Sequence, residues 1–431
     1  MCAVVSKVGM IISSIVLAAN YPLPALGAEA IERISVTSSE AQANGASIQQ
    51  VVSPNGRYVV FSSQATNLVS GDSNGWNDLF IRDRQAGTTK RVSLTTSGGQ
   101  ANGRSDDPSM SANARYIAFD SGASNLVPGL VVPSGDVFVR DRTANTTQLI
   151  SVATTGSDGN NTSLLPSISS DGRYVAFESR ASNLIASDTN GNGDIFVRDR
   201  QAGTTQLVSV GPGGIQGNNY SADPSISGTG RYVAFESQAF NLVAGGTTKY
   251  HVFVRDRQAG TTQLVSRGTG GAEGNNTSLN PAISANGRYV AFESVATNLV
   301  AGDTNLRSDI FLRDLQTGTT SRISVGPGGV QANEGSFHPA FSPDNRYVAF
   351  DSAASNLVTG DTNARIDVFV RDLQTGTTRL ASRGIGNVPA SGSEPSVATG
   401  ASVITFHTAG SNLVAGDTNS AEDVFARIIT P

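Results

Sequence analysis

One phrase, Gly-Arg-Tyr-Val-Ala-Phe or a near copy, recurs along the chain. Its aromatic position falls at Tyr58, Tyr116, Tyr174, Tyr232, Tyr289, Tyr347 and, in degenerate form, Val403. The intervals are 58, 58, 58, 57, 58 and 56 residues. A length of 431 residues would otherwise suggest about three domains. Repetition at this period replaces that expectation with one supersecondary module used seven times. The units lie near 49–94, 107–152, 166–210, 224–266, 281–325, 339–382 and 395–429, the last completed by 31–36.

The unit over 166–210 reads as four short strands. Pro166–Ser169 alternates apolar and polar residues, and a Ser-Asp-Gly turn follows at 170–172. Arg173–Ser179 is apolar on both faces, as a strand buried between two neighbouring sheets requires. A long loop, 182–193, leads to a third strand from Asp194 to Arg198. A Gln-Ala-Gly-Thr turn at 201–204 leads to a fourth over 205–210. The 47 glycines, with abundant Ser, Thr and Asn, supply the turns that so many strands need. Four-stranded meanders repeated radially make a β-propeller. The chain is therefore expected to be all-β, with seven four-stranded antiparallel blades. The last unit has strands at 395–398, 402–407 and 423–429 and then ends. Ile31–Val36 reads like the fourth-strand copies at 91–93 and 322–325, so the N-terminal strand should complete blade seven and leave no open edge.

Residues 1–27 have the layout of a secretory signal peptide: Lys7, an apolar run over 8–19, and small residues at 25 and 27 before Ala28. The single cysteine, Cys2, would leave with it, so no disulfide is expected in the mature chain. Net charge is −5 and only three cations are lysine, which argues against a nucleic-acid binder. No further apolar stretch of membrane length follows, and a periplasmic or extracellular monomer is expected.

Ser-Asp-Gly-Arg-Tyr-Val-Ala-Phe-Glu-Ser at 170–179, then Asp-Ile-Phe-Val-Arg-Asp at 194–199 and a Gly-Thr-Thr turn, resembles the propeller repeat of TolB-like proteins. The resemblance recurs seven times. It implies a cell-envelope propeller. The same repeat also serves as the propeller of some peptidases and polysaccharide lyases. A second resemblance, of 188–194 to the calcium loops of integrin-type propeller repeats, implies a cation site.

Oxygen ligands at loop positions 1, 3, 5 and 7 suit a hard cation such as Ca²⁺. The pattern is most complete at Asp188, Asn190, Asn192 and Asp194. Four loops keep three of the positions: Asp72, Asn74 and Asp78; Asp303, Asn305 and Asp309; Asp361, Asn363 and Asp367; and Asp417, Asn419 and Asp423. The same residues would also serve as turn formers, bonding their own backbone. Two series of arginines fall in register, at 57, 115, 173, 231, 288 and 346 and at 82, 140, 198, 255, 313 and 371. A motif present in every unit is scaffold, and ion pairs with the neighbouring aspartates are expected of both series.

Catalytic patterns are sparse. The three histidines, His251, His338 and His407, fall in different units, and nucleophile-elbow, phosphate-loop and zincin motifs are absent. The chain is therefore read as a non-enzymatic binder of a protein or glycan of the cell envelope. The alternative is an envelope enzyme such as a polysaccharide lyase. Binding residues concentrate on loops held by a rigid scaffold. The turns between strands one and two and between three and four are short and uniform. The connections between strands two and three, and between units, are long and carry the breaks in the repeat. The long-loop face is thus the expected binding face, with Leu130, Tyr250 and His251 among the contacts.

Overall fold

The computed structural model describes residues 30–130 and 135–429. The expected signal peptide lies outside them. Seven separate four-stranded antiparallel sheets form, each a meander in sequence order except the last. Blade three shows the pattern: Ser163–Ile168, Tyr174–Ser179, Asp194–Asp199 and Thr204–Leu207. The first strands touch their neighbours all round, Ser47–Val52 meeting both Ser105–Met110 and Ser393–Val397, so they line the axis of a closed ring. In blade seven, Ser393–Val397, Val403–Thr408 and Asp423–Ile428 are completed by Ala30–Arg33, which pairs Ala30 with Ile428 and Arg33 with Phe425. Closure by the N-terminal strand is as the split last unit requires. The paired segment ends at Arg33, three residues short of the expected Val36.

The second and third strands carry the core. Phe177 and Phe196 stack at 5.9 Å between ring centres, and every blade repeats the pair, from Phe61–Phe80 to Phe406–Phe425. The apolar clusters straddle blade boundaries. Val137 and Val139 of blade two pack with Val175 and Phe177 of blade three, and Val403 and Val424 of blade seven with Val59 and Phe61 of blade one. Neither face of a second strand meets water, so a single blade has no buried core of its own. Turn glycines make this fit possible. Gly172 has φ +76°, and a Cβ there would stand 2.2 Å from the ring of Tyr116 in the preceding blade.

The two arginine series divide. Arg57, Arg115, Arg173, Arg231, Arg288 and Arg346 pair with Asp83, Asp141, Asp199, Asp256, Asp314 and Asp372 of their own blades at 2.6–2.7 Å. The second series was expected to form ion pairs too and largely does not, because these aspartates are taken. Arg140 and Arg198 instead donate to the Thr95 and Ala153 carbonyls in the preceding link, tying blade to blade. Arg82 does the same to Thr37 and adds an ion pair with Glu40. The first strands also begin three residues earlier than the sequence reading, at Ser163 rather than Pro166. Pro166 does not start the strand. It sits inside it, at a bulge.

Candidate functional site

The strand-two-to-three loops and the links between blades emerge on one face of the ring. Large apolar side chains stand exposed at Trp76, Ile215, Phe240, Leu306, Val330, Ile366, Ile385 and Val388. Among the described residues all eight lie on those long connections, and none on the short turns of the opposite face.

The axial strands are irregular. Pairing with the second strand shifts register in every blade, between Leu164 and Ser167 in blade three and at the equivalent place elsewhere. The residues at the shift are Gln49, Asp107, Leu165, Asp223, Asn280, His338 and Glu394, all left-handed with φ between 47° and 54°. Six of the seven precede a proline, which has no N–H to lose to a bulge. A left-handed non-glycine residue costs on the order of 1–3 kcal/mol and persists where its surroundings impose it. Glycine would adopt the conformation freely and is plentiful in this chain, yet occupies none of the seven positions.

A second ring lies behind the first, one residue from the end of each second strand: Ser62, Asp120, Glu178, Glu236, Glu293, Asp351 and His407. These residues are all buried, none more than 7% exposed. Several have a structural duty. The Asn280 amide donates to Glu236 at 2.8 Å, His338 to Glu293 at 2.7 Å and Glu394 to Asp351 at 3.1 Å. Each carboxylate thus holds the bulge N–H of the next blade. Among the inner side chains Gln49 does the same for blade one, its Oε1 accepting the Asp107 N–H at 3.3 Å, while the chemistry of the rest changes from blade to blade.

Together the two rings set eight carboxyl groups against two histidines. Burial, then Asp107, pushes Asp120 up to about 8. Burial, then Asp223, pushes Glu236 up to about 7. Two carboxyl pairs therefore share protons near neutrality. The Asp351 hydrogen bond to His338 Nδ1, 3.1 Å, holds that imidazole cationic, up to about 9. Asp223 also senses both Asp107 and His338. These three stand on the axial strands of blades two, four and six. The ensemble is an acidic mouth in the half of the channel nearer the long loops. It can receive a cationic group or exchange protons with one.

The sequence-predicted contacts lie mostly inward. His251 is fully buried, where other blades have a strand-opening aspartate, and bonds Ser266 at 2.9 Å and Glu273 at 2.7 Å. Burial lowers its pKa. It is enclosed, so a partner docking on the loops does not reach it. Leu130 packs against the core between blades one and two. Tyr250 is half-buried beside Glu236, and burial raises its hydroxyl pKa. The acidic mouth escaped the sequence reading. Aligning the seven units and asking which column varies most in chemistry would have found it, since 49, 107, 165, 223, 280, 338 and 394 share one column.

In four of the five Asp/Asn loops a link glutamine already fills the site. Gln100 donates to Asp72 at 2.8 Å and Asp78 at 3.0 Å, Gln216 to Asp188 at 2.7 Å and Asp194 at 2.8 Å. Gln331 serves Asp303 and Asp309, and Gln42 serves Asp417 and Asp423. Asn74, Asn190, Asn305 and Asn419 turn their amide nitrogens to the same strand-opening aspartates. The Asn192 side-chain nitrogen donates to the Asn190 carbonyl at 3.2 Å, and the Asn192 N–H to Asn190 Oδ1 at 2.8 Å. The fifth loop, Asp361, Asn363 and Asp367, lacks the glutamine. Among the described residues no group of three or more His, Cys, Asp or Glu side chains is gathered as a metal cluster.

No family model and no curated protein matches the chain. Solved structures do. An oligogalacturonate lyase in complex with manganese shares 11% identity, covers 93% of both chains and superposes with a TM-score of 0.56. The β-propeller domain of the Trilobed protease from Pyrococcus furiosus, described as having an open velcro topology, shares 9% identity over 89% of this chain and 93% of that one, with a TM-score of 0.55. The chain is a β-propeller. TolB from Acinetobacter baumannii is also similar, at 15% identity and a TM-score of 0.42, with 82% of this chain and 66% of that chain covered. At these identities the likeness is one of fold. This propeller is clasped by its own N-terminal strand.

Proposed function

We propose that this chain is a secreted or periplasmic, non-enzymatic scaffold that binds a protein partner on its long-loop face. The acidic mouth would take a lysine or arginine side chain, or a free amino terminus, at the centre. The observation that carries the reading is a coincidence of place. The exposed apolar side chains and the carboxyl-rich mouth lie on the same face. An apolar surround with a desolvated charged anchor is the arrangement that makes a protein interface tight. The mouth's charge disfavours a polyuronate, which is itself a polyanion. Among the described residues no helix is long and apolar enough to cross a membrane.

The test is direct. A fluorescent lysine-containing peptide should bind more tightly than its glutamate counterpart, with an affinity that falls as salt rises. Trp76→Ala and Leu306→Ser should weaken capture of envelope proteins without moving the melting temperature. Loss of capture on changing Gln201 or Gln258 of the short turns instead, or turnover of a polysaccharide by the purified chain, would remove this reading.

A further inference from the structure

Blade six differs from the other four Asp/Asn blades in one respect. The link residue bridged back to the end of the fourth strand is Gln42, Gln100, Gln216 or Gln331 beside the filled loops, and Pro389 beside this one. Proline offers no side-chain donor and no N–H. A second donor is missing too, as it is in blade three, where Leu207 holds the position and Gln216 alone bridges the two aspartates. Arg33, Arg91 and Arg322 occupy one register position of the outer strand in blades seven, one and five, and pair with the loop aspartates. Leu380 stands there in blade six.

The consequence is two stranded oxygens. Asp361 is 8% exposed and Asp367 fully buried, and Asp361 Oδ1 and Asp367 Oδ2 have no hydrogen-bond partner. The other Asp367 oxygen is satisfied by Asn363 at 3.0 Å and Ser382 at 2.9 Å. The Arg383 guanidinium is turned to the Asn387 carbonyl, 2.9 Å away, and forms no ion pair with either carboxylate among the described residues. A buried carboxylate oxygen without a donor is costly, and the sister loops show how this fold normally avoids it. A cleft of about 400 Å³ lined by Asn363, Arg365, Pro389 and Ala390 opens beside the loop.

We propose that blade six binds one Ca²⁺ through Asp361 and Asp367, with water from the cleft completing the shell; the Asn363 amide stays turned as it is, its nitrogen to Asp367 and its oxygen to the Arg365 N–H. The ion takes the place that a glutamine amide holds in the other loops. Calcium suits two carboxylates in an open cleft because it accepts six to eight oxygens in loose geometry and tolerates water among them. This site is separate from the acidic mouth and stands or falls without it.

The experiment uses the full chain, freed of cations with a chelator and titrated with calcium chloride by calorimetry, with melting followed in parallel. One equivalent should bind, and the melting temperature should rise with calcium, since a ligand that binds only the folded state stabilises it. Pro389→Gln should restore the missing amide. That variant should lose the calcium heat and the calcium-dependent shift, and melt higher than the parent in chelator. Asp361→Asn, a nearly isosteric change, should weaken binding at least tenfold and covers the case in which Pro389→Gln fails to fold. The proposal is overturned by coincident parental melting curves in calcium and chelator with no heat of binding. It is equally overturned by more than one equivalent bound, or by either folded variant binding calcium like the parent.

Discussion

At the channel mouth, single side chains are held where the backbone resists them. Asp223 is left-handed at φ 47° and faces a buried carboxyl, Glu236, whose pKa it helps to raise. Asp223→Asn removes the repulsion and keeps a hydrogen-bond donor for Glu236. The variant should be more stable at pH 8, by about 1 kcal/mol for each pKa unit that Glu236 recovers. It should also bind the lysine peptide less well. Melting at pH 8 beside peptide titration checks both, and a variant that gains stability while keeping full affinity would show that Asp223 is no part of the site. The sequence could not announce this residue. A bulge breaks the two-residue alternation that marks a strand, so the column reads as noise. His251 misled for the converse reason. It breaks the repeat, but as a replacement for a buried aspartate, with Glu273 standing where other links carry glutamine. A change of residue at a buried position re-pairs the interior and does not mark a surface.

Whole strands were far more legible. The second and third strands follow from Tyr-Val-Ala-Phe and Asp-Ile-Phe-Val because both of their faces are buried, and no other element tolerates apolar residues throughout. The first strand was under-read because proline usually stands at a strand's edge, whereas here its missing N–H falls at a bulge. The closing strand was legible from the missing fourth strand of the last unit. Deleting residues 28–40 removes Ala30–Arg33 and exposes the edge of Asp423–Ile428. Thermal unfolding followed by circular dichroism should then lose its sharp transition, with aggregation on standing. A truncated chain that melts like the parent would show that the clasp contributes nothing.

For the whole molecule, titration sets a preferred pH. Asp141, Asp199, Asp256 and Asp314 are held down at about 2, chiefly by hydrogen bonds from Arg115, Arg173, Arg231 and Arg288. Their stabilisation is present above the unfolded value of about 3.9 and lost as pH falls toward 2. His338, raised to about 9, stabilises fully below about 6.5 and loses that contribution as pH rises through 9. Asp120 at about 8 and Glu236 at about 7 hold protons that the unfolded chain has released, so they too make stability fall as pH rises from about 4 through 8. Melting temperature should therefore peak at about pH 4 and decline on both sides. Affinity for the lysine peptide should move oppositely, rising through pH 7–8 as the carboxyl pairs lose their shared protons. A maximum of stability at pH 8 or above would contradict these assignments.

The clasp joins Ala30 to Ile428, a strand that precedes all the others of the ring and the one that follows them. Protein synthesis runs from the amino terminus, so the strand that emerges first is the last to find its place. Each interior blade has all four of its strands as soon as it has been translated, and needs only its neighbours for a core. The first strand must wait, unpaired, until residues 423–428 have left the ribosome. Ring formation therefore cannot precede the emergence of residues 423–428, and until then the nascent chain carries a free strand that some other edge could capture.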